Sequence, residues 1–343
     1  MVHHDISDPG HTQAAVLDVA RSEVGPELRS LVATLPEPLR LMARYHFGWR
    51  DPEGRPTAAG SGKHLRSAVL FAVSDACRGG RTSRARAAAA VELVHNFSLV
   101  HDDIMDRDLT RRGRRTIWAV WGEPDAVLLG DALLALALRG AAECGSNATA
   151  GAVVRLLTDA TVELCRGQHE DCAFETAADI DVSQYSRMVD GKTGALMGCA
   201  AALGAVCAEA PEPVVSAFAE FGRKLGAAFQ FADDVLGIWG DTRHTGKAVG
   251  SDLHRRKRSL PVLLALNSAT PEATELRRLY SSDMPLGASG IARAEELIER
   301  VDGRARTQRY AAQMVEEAVE ALPLRYRTAE LIALGRATVD RTR

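Results

Sequence analysis

The sequence predicts an all-α protein built as one large helical bundle. Three observations predict it. Ala, Leu, Arg and Glu are abundant while alternating β-branched runs are nearly absent. Several apolar stretches are longer than strands and apolar nearly all round, as in the central helices of a bundle. Alanine is dense enough in them for helices to cross closely through small residues.

The elements follow in order. Met1 to Gln13 is polar and reads as a flexible N-terminal segment, with one domain over 14–343. Trp49 to Gly62 is rich in Gly and Pro and breaks the helical pattern. Arg84 to Val100 predicts a buried helix, and Arg107 to Arg115 a charged connector. Asp125 to Ala142, Ala150 to Cys165, Val214 to Ile238 and Ser259 to Asn267 continue the apolar helical pattern. Gly240 to Arg258 is too long and polar for an ordinary helix connection, which marks it as functional or mobile. Glu295 to Arg343 reads as charged amphipathic helices with no chemistry attached.

Composition excludes several classes. The formal charge of −3 over 343 residues lacks the basic excess of a general nucleic-acid binder. No stretch approaches the ~20 apolar residues of a membrane span, and the N-terminus lacks a signal-peptide pattern. The cysteines Cys77, Cys144, Cys165, Cys172, Cys199 and Cys207 form no C-x-x-C pair. They read as small core residues of a reduced, cytoplasmic protein rather than zinc ligands.

Two carboxylate clusters carry the chemistry. Asp102, Asp103 and Asp106 end an apolar helix, with Asp102 and Asp106 one turn apart on one face. Asp233 and Asp234 end another, after Phe229-Gln230-Phe231-Ala232. Like charges at such spacing repel unless a cation lies between them. Magnesium fits, being hard, oxygen-seeking and usually bound by one or two carboxylates plus substrate phosphates. A solvated acidic helix end would account for one cluster. Two that both lead into basic loops suggest ends that face each other and bracket metal ions holding a diphosphate. The basic complement is Lys63 and Arg66, Arg111 and Arg112, Lys192 beside Thr193, and Lys247 with Lys257.

These residues carry a family resemblance. Gly62-Lys63-His64-Leu65-Arg66 is similar to the G-K-x-x-R signature of the trans-isoprenyl diphosphate synthases, with Ser67 where proline is usual. Asp102 to Asp106 with Arg111-Arg112-Gly113 resembles their first aspartate-rich motif and its arginine pair. Gly167-Gln168 with Asp171, Lys192-Thr193-Gly194, Phe229-Gln230 before Asp233-Asp234, Gly246-Lys247, Ser251-Asp252-Leu253 and Lys257 match further signatures in order. The resemblance implies an antiparallel helical bundle around a central active-site cavity, of the isoprenoid synthase type, and a homodimer. It implies condensation of isopentenyl diphosphate with an allylic diphosphate (dimethylallyl, geranyl or farnesyl) by metal-assisted ionisation.

The resemblance also implies roles. Asp102, Asp106 and Asp233 would be the principal magnesium ligands, supported by Asp103 and Asp234, with about three ions per site when substrate is bound. Arg111, Lys192, Lys247 and Lys257 would hold the allylic diphosphate. Lys63, Arg66, His95 and Arg112 would hold that of isopentenyl diphosphate. Thr193 and Gln230 would lie near the reacting carbons. Phe97 and Ser98, five and four residues before Asp102, would set the floor of the product pocket. An aromatic at the first and a small residue at the second favour a geranylgeranyl (C20) product. Farnesyl or longer polyprenyl products, a terpene cyclase and a non-catalytic partner subunit are the alternatives. One departure concerns the second acidic motif, where the usual third aspartate is Gly237, so either a metal ligand is lost or a water or Asp241 substitutes.

Overall fold

Helix-forming residues dominate the computed structural model, which describes residues 9–57, 62, 64–175, 177, 179–240, 250–281 and 286–342. In chain order the helices are α1 (Pro9–Ala33), α2 (Leu39–His46), α3 (Leu65–Ala76), α4 (Arg81–Met105), α5 (Ile117–Trp121), α6 (Glu123–Ala142), α7 (Asn147–Phe174) and α8 (Val182–Val189). After a π-helical turn, Asp190–Gly194, come α9 (Ala195–Cys207), α10 (Glu212–Trp239), α11 (Ser251–His254), α12 (Leu260–Leu266), α13 (Pro271–Tyr280), α14 (Ala288–Arg300), α15 (Gly303–Ala321) and α16 (Ala329–Asp340). The strands β1 (Thr110–Arg111) and β2 (Arg114–Arg115) pair antiparallel inside the charged connector. The all-α expectation holds. Helix α1 begins at Pro9, within the stretch 1–13 read as an N-terminal extension. Lys63, Asp241 and Lys247 lie outside the described residues.

The chain divides into two compact units. The first comprises residues 1–162, 195–222 and 321–334, and the second 163–194, 223–320 and 335–343. Helices α7, α10, α15 and α16 contribute residues to both.

In the first unit α4 packs on α3 and α6, and α3 on α9. Ala87 to Val91 of α4 are fully buried. Small residues bring the backbones together, as the alanine density predicts. A Cβ at Gly204 of α9 would collide with the Leu70 carbonyl of α3. Phe47, Phe71, Phe218 and Leu93 are buried there, each stabilising the fold by roughly 1.5–3 kcal/mol. Arg84 is 1% exposed and sits over the Phe71 ring, paired with Glu23 and Asp75.

The second unit has two cores. Tyr185, Met188, Val189, Phe231, Leu260 and Leu263 belong to one. Ile238, Leu253, Val262, Leu276 and Leu297 belong to the other. Asp181 starts α8 with a capping box, its carboxylate accepting from the Gln184 N–H while the Gln184 side chain accepts from the Asp181 N–H. Among the described residues no helix is long and apolar enough to cross a membrane. All six cysteines are free; Cys144, Cys199 and Cys207 are buried as expected, whereas Cys165 of α7 is exposed.

Candidate active site

The acidic end of α4 is built against the helix's own electrostatics. Asp102 and Asp103 lie in the last turn and Asp106 is the C-cap. Carboxylates there meet the negative end of the helix dipole. The chain leaves through a Schellman turn. The Arg107 N–H donates to the Ile104 carbonyl at 3.3 Å, and the Asp108 N–H to the Asp103 carbonyl at 2.9 Å. Arg107 takes the left-handed position at φ 55°.

The connector then reverses in a tight hairpin. Thr110 pairs with Arg115 and Arg111 with Arg114, leaving Arg112 and Gly113 as the turn, at φ 53° and 72°. Two positive φ values are what a type I′ turn requires. The hairpin returns Arg111 to the helix end. Its Nε donates to Asp103 Oδ1 at 2.6 Å, and Nη2 lies 3.6 Å from Asp102 Oδ2. Asp103 is 2% exposed. Burial pushes its carboxyl up to about 6, against the pull of Arg111 and with the repulsion of Asp102 and Asp106. Arg111 thus only partly offsets the cost of collecting three carboxylates.

Arg112 joins the G-K-x-x-R strip. Its guanidinium fills the space where a Cβ on Gly62 would stand, 2.7 Å from that position. Burial, with repulsion from Arg111 and Arg114, disfavours its charge. His95 is held well below the ordinary histidine range by burial and by Arg66, Arg112 and Arg111, and is neutral. Arg66, His95, Arg111 and Arg112 therefore share one electrostatic neighbourhood in the first unit. It is cationic and stressed, as suits an anion site.

The departure at Ser67 has a structural reason. Ser67 Oγ donates to Glu92 Oε1 at 2.7 Å, and His64 Nδ1 lies 3.2 Å from Glu92 Oε2. His64 takes φ 52° just before α3. The serine thus anchors the strip to α4. Burial opposes ionisation of Glu92, but His64, Ser67 and Arg66 outweigh it and hold the carboxyl below its usual range. Further along α4, Phe97 is buried and meets His101 edge to face, with ring centroids 5.1 Å apart. Ser98 turns its hydroxyl to the His95 carbonyl of its own helix at 2.8 Å.

In the second unit the π-helical turn carries Lys192 and Thr193. Gly167 of α7 lets the turn approach, because a Cβ there would strike the Lys192 backbone nitrogen. Arg223 of α10 grips Asp190 at the start of the turn with two hydrogen bonds, Nε to Oδ1 at 2.9 Å and Nη2 to Oδ2. Lys192 Nζ donates to Asp171 at 2.5 Å. Thr193 Oγ1 donates to Gln230 Oε1 at 3.0 Å, and Gln230 Nε2 to Asp234 Oδ1 at 3.0 Å. Asp234 Oδ2 accepts from the Tyr185 hydroxyl at 2.6 Å and the Leu260 N–H at 3.0 Å. Burial pushes Asp234 up to about 7, restrained by these three donors. The motif residues Thr193, Gln230 and Asp234 thus form one continuous hydrogen-bonded line.

Asp233 is more exposed, and Arg341 of the C-terminal segment donates to its Oδ1 at 3.1 Å while lying over the Phe229 ring. The Lys257 N–H donates to the Asp252 carbonyl at 2.8 Å. Among the described residues no three Asp, Glu, His or Cys side chains gather to hold a metal by themselves. The donor set still fits magnesium, which is bound through one or two carboxylates with substrate oxygens and water completing its shell. Asp102 and Asp106 in the first unit, and Asp233 in the second, are each carboxylates of this kind.

Sequence reasoning missed several of these partners. Glu92 had a signal, as the only acidic residue in an alanine-rich apolar run. Buried His46, whose Nε2 lies 3.0 Å from Asn96 Oδ1, had none, nor did Tyr185, Arg223 or Arg341, which reach the motifs from distant sequence.

Comparison with known proteins agrees with this geometry. A family model described as polyprenyl synthetase matches residues 55–297. A geranylgeranyl diphosphate synthase of Mycobacterium tuberculosis is 45% identical over 329 residues, 96% of this chain and 94% of that protein. A (2E,6E)-farnesyl diphosphate synthase of Mycobacterium bovis is 46% identical over 247 residues, 72% of this chain and 68% of that protein. The crystal structure of a polyprenyl synthetase from Streptomyces coelicolor superposes with TM-score 0.89 at 38% identity, covering 95% of this chain and 99% of that one. Motifs, fold and relatives agree that the chain belongs to the trans-isoprenyl diphosphate synthase family, prenyltransferases that join isopentenyl diphosphate to an allylic diphosphate.

Proposed function

We propose that this prenyltransferase is a magnesium-dependent geranylgeranyl diphosphate synthase, working as a cytoplasmic homodimer. The observation that carries the C20 reading is Phe97, a buried aromatic five residues before Asp102 on α4, next to small Ser98. The M. tuberculosis relative, matched over 96% of this chain, supports the same product. A farnesyl product is the second reading, favoured by the M. bovis relative at 46% identity.

Magnesium bound through Asp102, Asp106 and Asp233, about three ions with substrate present, supplies Lewis-acid stabilisation of the departing diphosphate. The chain's own groups do the rest. Arg111, Lys192, Lys247 and Lys257 hold the allylic diphosphate and neutralise charge as its bond to carbon breaks. Lys63, Arg66, Arg112 and neutral His95 orient isopentenyl diphosphate by its own diphosphate, so that its double bond meets the allylic cation. Thr193 and Gln230 lie at the reacting carbons, fixed by the hydrogen-bonded line to Asp234. The freed diphosphate accepts the proton lost from the new chain. Asp103 and Asp234, both buried and both engaged by protein donors, support that ligand set.

The test is incubation of the purified chain with radiolabelled isopentenyl diphosphate, magnesium and each allylic primer, followed by product sizing. A C20 product that lengthens in Phe97→Ala is expected. No incorporation with any primer would refute the enzyme reading. An unchanged length in Phe97→Ala would move the pocket floor elsewhere.

A further inference from the structure

The C-terminal segment, to which the sequence attaches no chemistry, sends one side chain to the second acidic cluster. Arg341 follows α16 on a turn that is tied down. The Thr342 N–H and hydroxyl both donate to the Val339 carbonyl, at 3.1 and 2.8 Å, and the Gln308 amide of α15 donates to the Thr342 carbonyl at 2.7 Å. Val339 packs in the core that holds Tyr185 and Phe231. From this base the Arg341 guanidinium lies over the Phe229 ring, 5.0 Å from its centroid, and Nη2 donates to Asp233 Oδ1 at 3.1 Å.

The other terminal nitrogen has no such partner. Nη1 is shut off from solvent and meets no acceptor among the described residues. A charged donor left in that state is costly. The two terminal nitrogens share one edge of the planar guanidinium, so an acceptor for Nη1 lies beside the Asp233 carboxylate. We propose that Arg341 is a further ligand of the allylic diphosphate, gripping it through Nη1 while Nη2 keeps Asp233. The proposal rests on the reading of Asp233 as a magnesium ligand. Charge argues the same way. A guanidinium and a magnesium ion at one carboxylate repel each other. A polyanion touching both removes that repulsion, and the guanidinium fork matches phosphate oxygens. Until the diphosphate arrives, Arg341 competes with the metal for Asp233. Metal and diphosphate therefore bind this end together better than the metal binds it alone.

Two titrations of the full-length chain test this. Manganese(II) alone is followed by its electron paramagnetic resonance signal, and inorganic diphosphate at saturating magnesium by calorimetry. Arg341→Gln should weaken diphosphate binding about tenfold and raise KM for the allylic primer by a similar factor, with KM for isopentenyl diphosphate changed by about twofold or less. Manganese alone should bind this variant at least as tightly as the unaltered chain, because a competing cation is gone. Phe229→Leu removes the ring under the guanidinium but keeps both charges, and should weaken diphosphate binding by a smaller factor. Circular dichroism confirms that each variant is folded. Three results overturn the proposal: folded Arg341→Gln binding diphosphate as tightly as the unaltered chain, a KM loss that falls on isopentenyl diphosphate instead, or manganese alone weakened as much as diphosphate, the mark of a residue that merely holds Asp233. Asp233→Asn separates these from the underlying reading. If it leaves both titrations unchanged, Asp233 is not a metal ligand and that reading falls. If it weakens both while Arg341→Gln weakens neither, the reading stands and only the role of Arg341 is lost.

Discussion

The acidic clusters of α4 and α10 solve one problem in two ways, the first at the end of its helix and the second, contrary to the sequence expectation, inside a helix that runs on to Trp239. Each pairs a partly exposed aspartate with a buried one: Asp102 with Asp103, and Asp233 with Asp234. The buried member of the first pair is held by a cation, Arg111, returned to it by a tight hairpin. The buried member of the second is held by neutral donors, the Tyr185 hydroxyl, the Gln230 amide and the Leu260 N–H. The first end balances charge locally. The second disperses it along hydrogen bonds to the turn bearing Thr193, so that end couples the position of its carboxylates to that of Lys192 and Thr193.

The largest expected effect tests the proposed asymmetry in metal ligation. Asp102→Ala or Asp106→Ala should lower the rate of isopentenyl incorporation about a thousandfold, and Asp233→Ala about a hundredfold. Initial rates at saturating magnesium measure this, and equal losses would break the comparison. Altering Asp241 should change the rate far less than either.

A smaller effect separates the two ways of holding a buried carboxylate. Arg111→Gln strands Asp103 without its cation, and should lower unfolding free energy by about 3 kcal/mol. Tyr185→Phe removes one neutral donor from Asp234 and should cost about 1–2 kcal/mol. Urea unfolding at low and high salt tells them apart. Salt screens charge, so the Arg111→Gln deficit should shrink as ionic strength rises while the Tyr185→Phe deficit stays constant. Parallel responses would mean that Asp103 is not held by charge.

The smallest effect concerns the cations around the first end. Burial, with Arg112 and Arg111, holds His46 at about 3, below the 6.5 of an ordinary histidine. The unfolded chain therefore binds more protons at His46 between those values. Its contribution to stability is complete above pH ~6.5 and is lost as pH falls towards ~3. Between pH 7.5 and 5.5 the loss is about 1 kcal/mol from this residue. His46→Gln should flatten the pH dependence of the urea midpoint by that amount. An unchanged slope would place the acid sensitivity in other groups, His95 first.

The sequence made the fold class and the acidic clusters legible because both depend on local patterns, although α10 runs past its cluster to Trp239. Alanine runs predict closely crossing helices, and the contact of Gly204 with the Leu70 carbonyl is that prediction realised. The boundaries were harder. Arg84 to Val100 grew to Arg81–Met105, since polar residues at a helix end carry no periodic signal. The connector 107–115 hid a hairpin because its turn residues, Arg112 and Gly113, lack the Asn-Gly signature that marks one. Tyr185 and Arg223 were invisible for a different reason. Their importance lies in what they touch, and Asp234 is 49 residues from Tyr185 in sequence. Ser67, where the family usually has proline, gives its hydroxyl to Glu92, a partner 25 residues away that no local pattern reveals.

The π-helical turn at Asp190–Gly194 has a consequence for length. Such a turn holds one residue more than an α-helical turn. Excising one residue would let the turn close into regular α geometry with the flanking helices near their present faces, and would re-aim the side chains inside the turn. Lys192 would leave Asp171, and Thr193 would leave Gln230. A chain shortened by that one residue should thus gain regularity where it loses catalysis.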